Sequence, residues 1–377
     1  MAHRIAVQMA SHNDAAFIGP SLDSVLAQRC EPFELIVSDD ASTDDTVAIA
    51  EGRASAYRGP HAVRIIRQAH NLGPAFHGAE RYENQSQAPI LVIATADDLH
   101  APGRVAALVG ALDATGADLV CSNAAWISEQ GAFLRPHVQG RATGPVTLDE
   151  ILSAGWSRST LGATFAFRRA LWTDTGGFRD NLIPNGIDLF LPLRAALSGG
   201  CHFIGDPLLL WRQHSRQLKR AVTDESAGKS VAGEAHRILL LAVRLQHIRE
   251  LARDPRPGVR QRIPALHAEV LKEAVTWVAH RRRNLTDGHR VQWVRLHGLL
   301  EQRREVVDDA RTLAVDAASE SVAQVADAVL AGRGGARKPL VQQLMNRLVN
   351  LCWKRRELYR SHLRPVWVVA DKARPPS

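Results

Sequence analysis

The sequence predicts an α/β protein: a mostly parallel sheet with helices on both faces, followed by an all-helical C-terminal region. Three observations carry this. Short apolar runs alternate with helix-length amphipathic segments through the first third of the chain. Two of those runs, residues 35–38 and 90–94, end on adjacent acids, Asp39-Asp40 and Asp97-Asp98. Beyond residue 221 the apolar spacing becomes helical and stays so.

The elements follow in order. Residues 5–9 form a strand, and residues 21–28 a helix with Leu22, Val25 and Leu26 on one face. Residues 35–38 are a strand and 44–55 a helix, with Asp44 and Asp45 as capping acids. A strand at 63–66, a helix at 74–82, a strand at 90–94, a helix at 104–114 and a fifth strand starting at 119 continue the alternation. Strands spaced this way by helices form a parallel sheet covered on both faces. Residues 146–217 carry many glycines with interleaved aromatics and read as a loop-rich, substrate-facing half. The expected division is a domain over 1–220, in halves 1–115 and 116–220, and a helical region over 221–377 of unknown role. Gly332-Arg333-Gly334-Gly335 reads as a linker within the latter.

Composition narrows the class. A chain of 377 residues with 45% hydrophobic and 23% charged residues is an ordinary globular protein, with room for two or three domains. The net charge of +8 is concentrated late, in Arg281, Arg282, Arg283, Lys354, Arg355, Arg356, Arg360 and Arg364. Such clusters suit anionic partners, or form a solvated helix face. No zinc-finger, RNP or G-x-x-G signature accompanies them, so nucleic acid is not an expected partner. No G-x-G-x-x-G follows a strand, which argues against a dinucleotide oxidoreductase. Cys30, Cys121, Cys201 and Cys352 are scattered without zinc spacing and read as buried thiols in a reducing cytoplasm. No apolar run approaches the roughly 18 residues of a spanning helix. The basic amphipathic stretch at 339–369, with Trp353 and Trp367, either lies on the inner face of the plasma membrane or docks on its own domain or a second subunit.

The two acidic strand ends carry the chemistry. In a parallel sheet both emerge at the carboxyl edge, where open α/β sheets bind ligands. One acid pair suits the N–H and O–H donors of a nucleobase or ribose. The other suits a divalent cation, which takes hard oxygen ligands and would neutralise a leaving diphosphate.

At this point the motifs resemble, jointly and in order, the family 2 glycosyltransferases of the GT-A fold. Ser11-His12-Asn13 resembles the family's T-Y-N, residues 22–28 its L-x-S-V-L-x-Q helix, and residues 39–46 its D-D-x-S-x-D-x-T. Asn71-Leu72-Gly73 resembles N-x-G, Ala96-Asp97-Asp98 the end of D-x-D-D, Gly176-Gly177-Phe178 G-G-F, and residues 211–214 aromatic-R-x-H. The resemblance covers about residues 3–217. It implies transfer of a sugar from a nucleotide-diphosphate donor, UDP-linked by preference, to a saccharide or lipid-linked hydroxyl acceptor, with inversion, in bacterial surface-polysaccharide or glycoconjugate synthesis. It places the donor on Ala10, Ser11, Asn13, Asp39, Asp40, Asn71, Gly73, Asp97 and His214. It places Mg²⁺ or Mn²⁺ on Asp97, Asp98 and His214, and the general base on Asp188. On the same basis residues 1–115 are the nucleotide-sugar half and 116–220 the acceptor half.

Two positions depart from the family. Thr95 stands where D-x-D-D has its first acid, and Ile187 stands where an E-D pair has its glutamate. The second departure leaves Asp174 and Asp180 as alternative bases. Together the two motivate a rival reading, a non-catalytic nucleotide-sugar-binding or scaffold protein of the same fold. The helical region remains open between acceptor presentation, homo-oligomerisation and membrane contact. His12 and His70 read as supporting or surface residues.

Overall fold

A computed structural model describes residues 3–136, 140–154, 160–177, 187 and 190–214, and then 244, 246–248, 250–263, 265 and 266. The chain divides into two compact units, residues 1–221 and 222–377.

The first unit is built on one ten-stranded sheet. Its strands are β1 (Ile5–Ser11), β2 (Glu34–Asp39), β3 (Ala62–Arg67), β4 (Ile90–Thr95), β5 (Leu99–His100), β6 (Leu119–Ile127), β7 (Phe133–Arg135), β8 (Gly144–Val146), β9 (Ala166–Arg168) and β10 (Cys201–Arg212). The order is β3-β2-β1-β4-β9-β6-β10-β5, with β7 on β6 and β8 on β10. β1 pairs in parallel with β2 and β4, β2 with β3, and β6 with β10, while β9 runs antiparallel between β4 and β6. Those six parallel-running strands therefore deliver their carboxyl ends to one edge. The inner strands are near-continuous apolar runs, as burial on both faces requires.

The helices are α1 (Ile18–Leu26), α2 (Thr46–Ala56), α3 (Gly73–Asn84), α4 (Arg104–Thr115), α5 (Leu148–Ala154), α6 (Arg169–Asp174) and α7 (Leu191–Leu197). Ile18, Leu22 and Val25 of α1, with Val105, Leu108 and Leu112 of α4, pack on Val7, Met9, Val92 and Ala94 in the main core. On the other face a buried polar group stands among apolar neighbours: Gln8, Ser38, His77, Arg81 and Gln85. Ser38 Oγ accepts from Gln85 Nε2 at 2.9 Å and lies 2.8 Å from His77 Nε2. Burial, then the charge of Arg81, pushes the His77 pKa down to about 3.

The alternation expected over the first 120 residues is present, with ends shifted by a few residues. The described residues of 146–217 are more regular than the sequence suggests. They hold β9, α6, α7 and the twelve-residue β10, the longest strand in the sheet. β10 is hard to read because Gly205-Asp206-Pro207 interrupts it, and two register shifts against β6 fall at that point. Cys121 and Cys201 are buried free thiols, while Cys30 is only half-buried.

In the second unit residues 246–248 and 250–253 are helical and α8 (Pro257–Arg260) follows, with Ile248, Leu251, Val259, Ile263 and Leu266 buried. The rest of the expected helical region, including residues 339–369, lies outside the described residues. Among the described residues no helix is long and apolar enough to cross a membrane.

Candidate functional site

The carboxyl edge of β2, β1 and β4 gathers most of the residues singled out in the sequence. Register fixes their placement: Asp39 pairs with Ser11, and Ala10 with Thr95. One strand separates the two acidic ends, so they emerge on the order of 10 Å apart at neighbour spacings near 5 Å.

The first acid pair is turned inward. Asp39 is 1% exposed and Asp40 3%. Asp39 accepts the Ser42 N–H at 2.8 Å, the Ser11 hydroxyl at 3.1 Å and the Ser42 hydroxyl. Asp40 accepts the Leu72 N–H at 2.7 Å and the Gly73 N–H at 2.9 Å, which ties the turn before α3 to the end of β2. That turn needs its glycine, because Gly73 sits at φ +75°. Asn13 is also left-handed, at φ 58°, and its side chain accepts the Thr43 N–H at 2.9 Å. Ala10 contributes backbone, its carbonyl accepting the Ala96 N–H at 3.2 Å.

His12 is exposed yet firmly held. Its Nδ1 lies 2.8 Å from the Asp40 carbonyl, and a carbonyl only accepts, so Nδ1 carries the ring proton. Nε2 then accepts from Asn71 at 3.0 Å and Asn13 at 3.2 Å. This imidazole links three of the expected donor-site residues. The sequence placed it inside a motif without giving it that task.

The second acid pair splits into two roles. Asp98 is 2% exposed; it accepts the Thr95 hydroxyl at 2.5 Å and the Arg212 N–H at 2.8 Å. Burial, then the charge of Asp97, holds its carboxyl well above the usual range. Thr95 thus supplies a hydrogen bond where a second acid would face Asp98. Asp97 keeps 26% of its side chain exposed, and its Oδ2 lies 3.1 Å from His214 Nε2. His214 is buried against the Phe17 ring at 4.7 Å, and its Nδ1 has no partner among the described residues. The Arg212 side chain braces this arrangement. Its Nε donates to the Asp97 carbonyl at 2.7 Å and its Nη1 to the Glu129 carbonyl at 2.7 Å.

Asp14 is a further acid at this edge that the motifs do not mark. It accepts the His12 N–H at 2.9 Å, and burial, together with the charge of Asp97, raises its pKa to about 6. Asp44 accepts the Thr46 N–H at 3.1 Å, while the Asp45 side chain makes no cap hydrogen bond.

Of the expected bases, Asp188 and Asp180 lie outside the described residues. Asp174 is exposed at the end of α6, where Thr173 Oγ1 donates to it at 2.9 Å. Phe178 is likewise outside, but Gly177 is fixed: at φ +56° a Cβ would lie 2.9 Å from the Trp172 indole nitrogen and 2.7 Å from Glu83.

No group of three metal-binding side chains stands together among the described residues. What is present is one accessible carboxylate and one imidazole in contact, with an unpartnered buried nitrogen on that imidazole. The carboxylate suits a hard cation such as Mg²⁺ or Mn²⁺, which would complete its shell with substrate phosphate and water rather than with a full protein cage.

Comparisons with known proteins bear on the family and the fold. Residues 6–174 match the family described as Glycosyl transferase family 2. The succinoglycan biosynthesis protein ExoU of Rhizobium meliloti (strain 1021) is 29% identical over 205 residues, covering 52% of this chain and 57% of that protein. The match thus spans little more than half the length of that relative. The crystal structure of S. aureus TarS 1-349 in complex with UDP-GlcNAc superposes with a TM-score of 0.57 at 17% identity, over 82% of this chain and 84% of that one. The same protein in complex with UDP gives 0.54 at 17% identity, over 82% and 83%. At such identities the structural likeness speaks for the fold.

Proposed function

We propose that this chain, whose residues 6–174 match the family described as Glycosyl transferase family 2, moves a sugar from a nucleotide-diphosphate donor to a hydroxyl acceptor with inversion. The observation that carries this is the pairing of Asp97 with His214 at the carboxyl edge, one strand away from Asp39 and Asp40.

The nucleoside lies against Ala10, Ser11, Asn13, Asn71 and Gly73. Asp39 and Asp40 set the turns that form this wall. Asp40 makes two hydrogen bonds within the protein, and a carboxylate has about four acceptor sites, so it retains capacity for a donor N–H or O–H. His12 holds Asn71 and Asn13 in place. Asp97 and His214 hold Mg²⁺ or Mn²⁺, which when bound neutralises charge on the diphosphate. Asp98 serves as a buried brace that fixes the Asp97 backbone through Thr95 and Arg212. Asp188 takes the proton from the acceptor hydroxyl, and its apolar neighbours Ile187, Leu189 and Phe190 in the sequence favour a raised pKa. The acceptor is a saccharide or a lipid-linked saccharide. Succinoglycan biosynthesis, named for the Rhizobium relative, supports a polysaccharide setting.

The test is nucleoside-diphosphate release from a panel of UDP-, GDP- and dTDP-sugars with Mn²⁺ and mixed saccharide acceptors. Release that needs both Mn²⁺ and Asp97 is expected. Tight donor binding without release from any donor, even as slow hydrolysis, would favour a non-catalytic member of the family. Release at the parent rate from Asp97→Ala would remove the metal role.

A further inference from the structure

The exposed large apolar side chains among the described residues are neighbours, Phe133 at 62% and Leu134 at 53%. Both lie on β7, which leaves the carboxyl edge of β6 through the turn at residues 128–132. This is the edge that carries Asp97. The turn is held there directly, because the Arg212 guanidinium that binds the Asp97 carbonyl also binds the Glu129 carbonyl. We propose that this hairpin is a membrane-contact element, which seats Phe133 and Leu134 in the interface of an anionic bilayer beside the mouth of the site.

Three features select a bilayer over a protein partner. First, the apolar pair does not form one flat face. Ile127 pairs with Phe133 and Trp126 with Arg135, and the register shift between them leaves Leu134 as the extra residue of a bulge. Consecutive β6 residues point to opposite faces, so Phe133 and Arg135 do too. A protein surface covers one side of such a ribbon; an interface surrounds both. Second, the ribbon has the composition of an interfacial segment. Arg135 stacks over the half-buried Trp126 ring at 3.6 Å, which puts a cation and an indole beside the apolar pair. Glu129 and Gln130 at the tip are exposed and polar, so the ribbon lies along the interface and does not enter tip first. Third, the chain's charge favours an anionic surface. Residues 1–221 contain 19 Lys and Arg against 22 Asp and Glu, whereas residues 222–377 contain 28 against 17. The whole positive excess therefore follows residue 221. Stable peripheral attachment takes two signals, such as an apolar element plus a basic region. This chain has both.

The full chain is tested by flotation with vesicles of phosphatidylcholine alone and of phosphatidylcholine with phosphatidylglycerol, without nucleotide, at 0.1 M and 1 M salt. Debye screening shortens from about 10 Å to 3 Å between these conditions and removes the electrostatic part. Binding to the anionic vesicles is expected, with a fraction that survives 1 M salt. Phe133→Ser/Leu134→Ser should weaken that fraction about 100-fold, at about tenfold for each partly buried apolar side chain. Its melting temperature and donor turnover should not change. A fluorophore that reports polarity, placed at Leu134→Cys, should shift to the blue on vesicles. The proposal fails if salt releases all of the parent chain, if the double variant keeps the salt-resistant fraction, or if the fluorophore does not shift. It also fails if the double substitution turns a dimer into a monomer in sedimentation and leaves vesicle binding unchanged, since the hairpin then joins two copies. Donor turnover is read separately, so failure here is distinct from failure of the transferase reading.

Discussion

Asp40 gives the sharpest structural prediction. Its carboxylate is 3% exposed and accepts the Leu72 and Gly73 N–H groups at 2.7 and 2.9 Å. Asp40→Ala leaves the Leu72 N–H without its acceptor, while the Gly73 N–H keeps Asn71 Oδ1 at 2.8 Å. One group left without a partner costs about 1–3 kcal/mol, so roughly 2 kcal/mol is expected. Asp40→Asn keeps one acceptor oxygen and sets an amide N–H₂ against the other donor, so about half that loss is expected. At about 2–4 °C per kcal/mol for a unit of this size, the alanine variant should melt roughly 4–8 °C lower. Thermal and urea unfolding, followed by circular dichroism, read the loss. Because the same turn carries Asn71, donor affinity should also fall well below the new melting temperature. Asp40→Ala melting within about 2 °C of the parent, less than 1 kcal/mol by the same scale, would refute the clamp.

Ala41 sits at φ 59°, a region that costs a Cβ-bearing residue about 1–2 kcal/mol. Ala41→Gly should therefore stabilise by roughly 0.5–1 kcal/mol after the added chain entropy of glycine, read as a raised urea midpoint; a lower midpoint would show the backbone to be unstrained. His77, held neutral with its pKa near 3, makes stability acid-sensitive. Its folded pKa lies below the unfolded value, so its contribution is full above about 6.5 and is lost as pH falls toward 3. Between pH 6.5 and 4.5 that loss is roughly 2–3 kcal/mol. His77→Gln should flatten the pH dependence of urea unfolding over this window, and an unchanged slope would count against it.

The sequence discloses the nucleotide-facing half of the fold well. β1, β2 and β4 are unbroken apolar runs, and their acids fall where parallel strands end. α1 and α4 show their buried faces as Leu22, Val25, Leu108 and Leu112 at helical spacing. β10 stays hidden because its two bulges and Pro207 break the pattern that identifies strands. The site is legible as a list of residues but not as a set of roles. Asp39, Asp40 and Asp98 read as acids that face a ligand, yet burial and backbone amides turn them inward. Their partners Leu72, Gly73 and Arg212 lie 32, 33 and 114 residues away, beyond the reach of local pattern. The exchange of an acid for Thr95 looks like a loss in the sequence. In space it is the donor that a buried Asp98 requires. Asp14 escapes notice, and His12 reads only as a supporting or surface residue, for the converse reason: their contacts with Asp40, Asn71 and Asp97 are created by the fold.

The most direct test of the account is calorimetric binding of UDP and GDP to the parent chain and to Asp97→Ala, each with and without Mn²⁺. The account predicts that Mn²⁺ tightens nucleotide binding at least about tenfold in the parent, equivalent to 1.4 kcal/mol, and leaves the variant's affinity unchanged. Equal affinities in all four conditions, or the same Mn²⁺ gain in both chains, would contradict it.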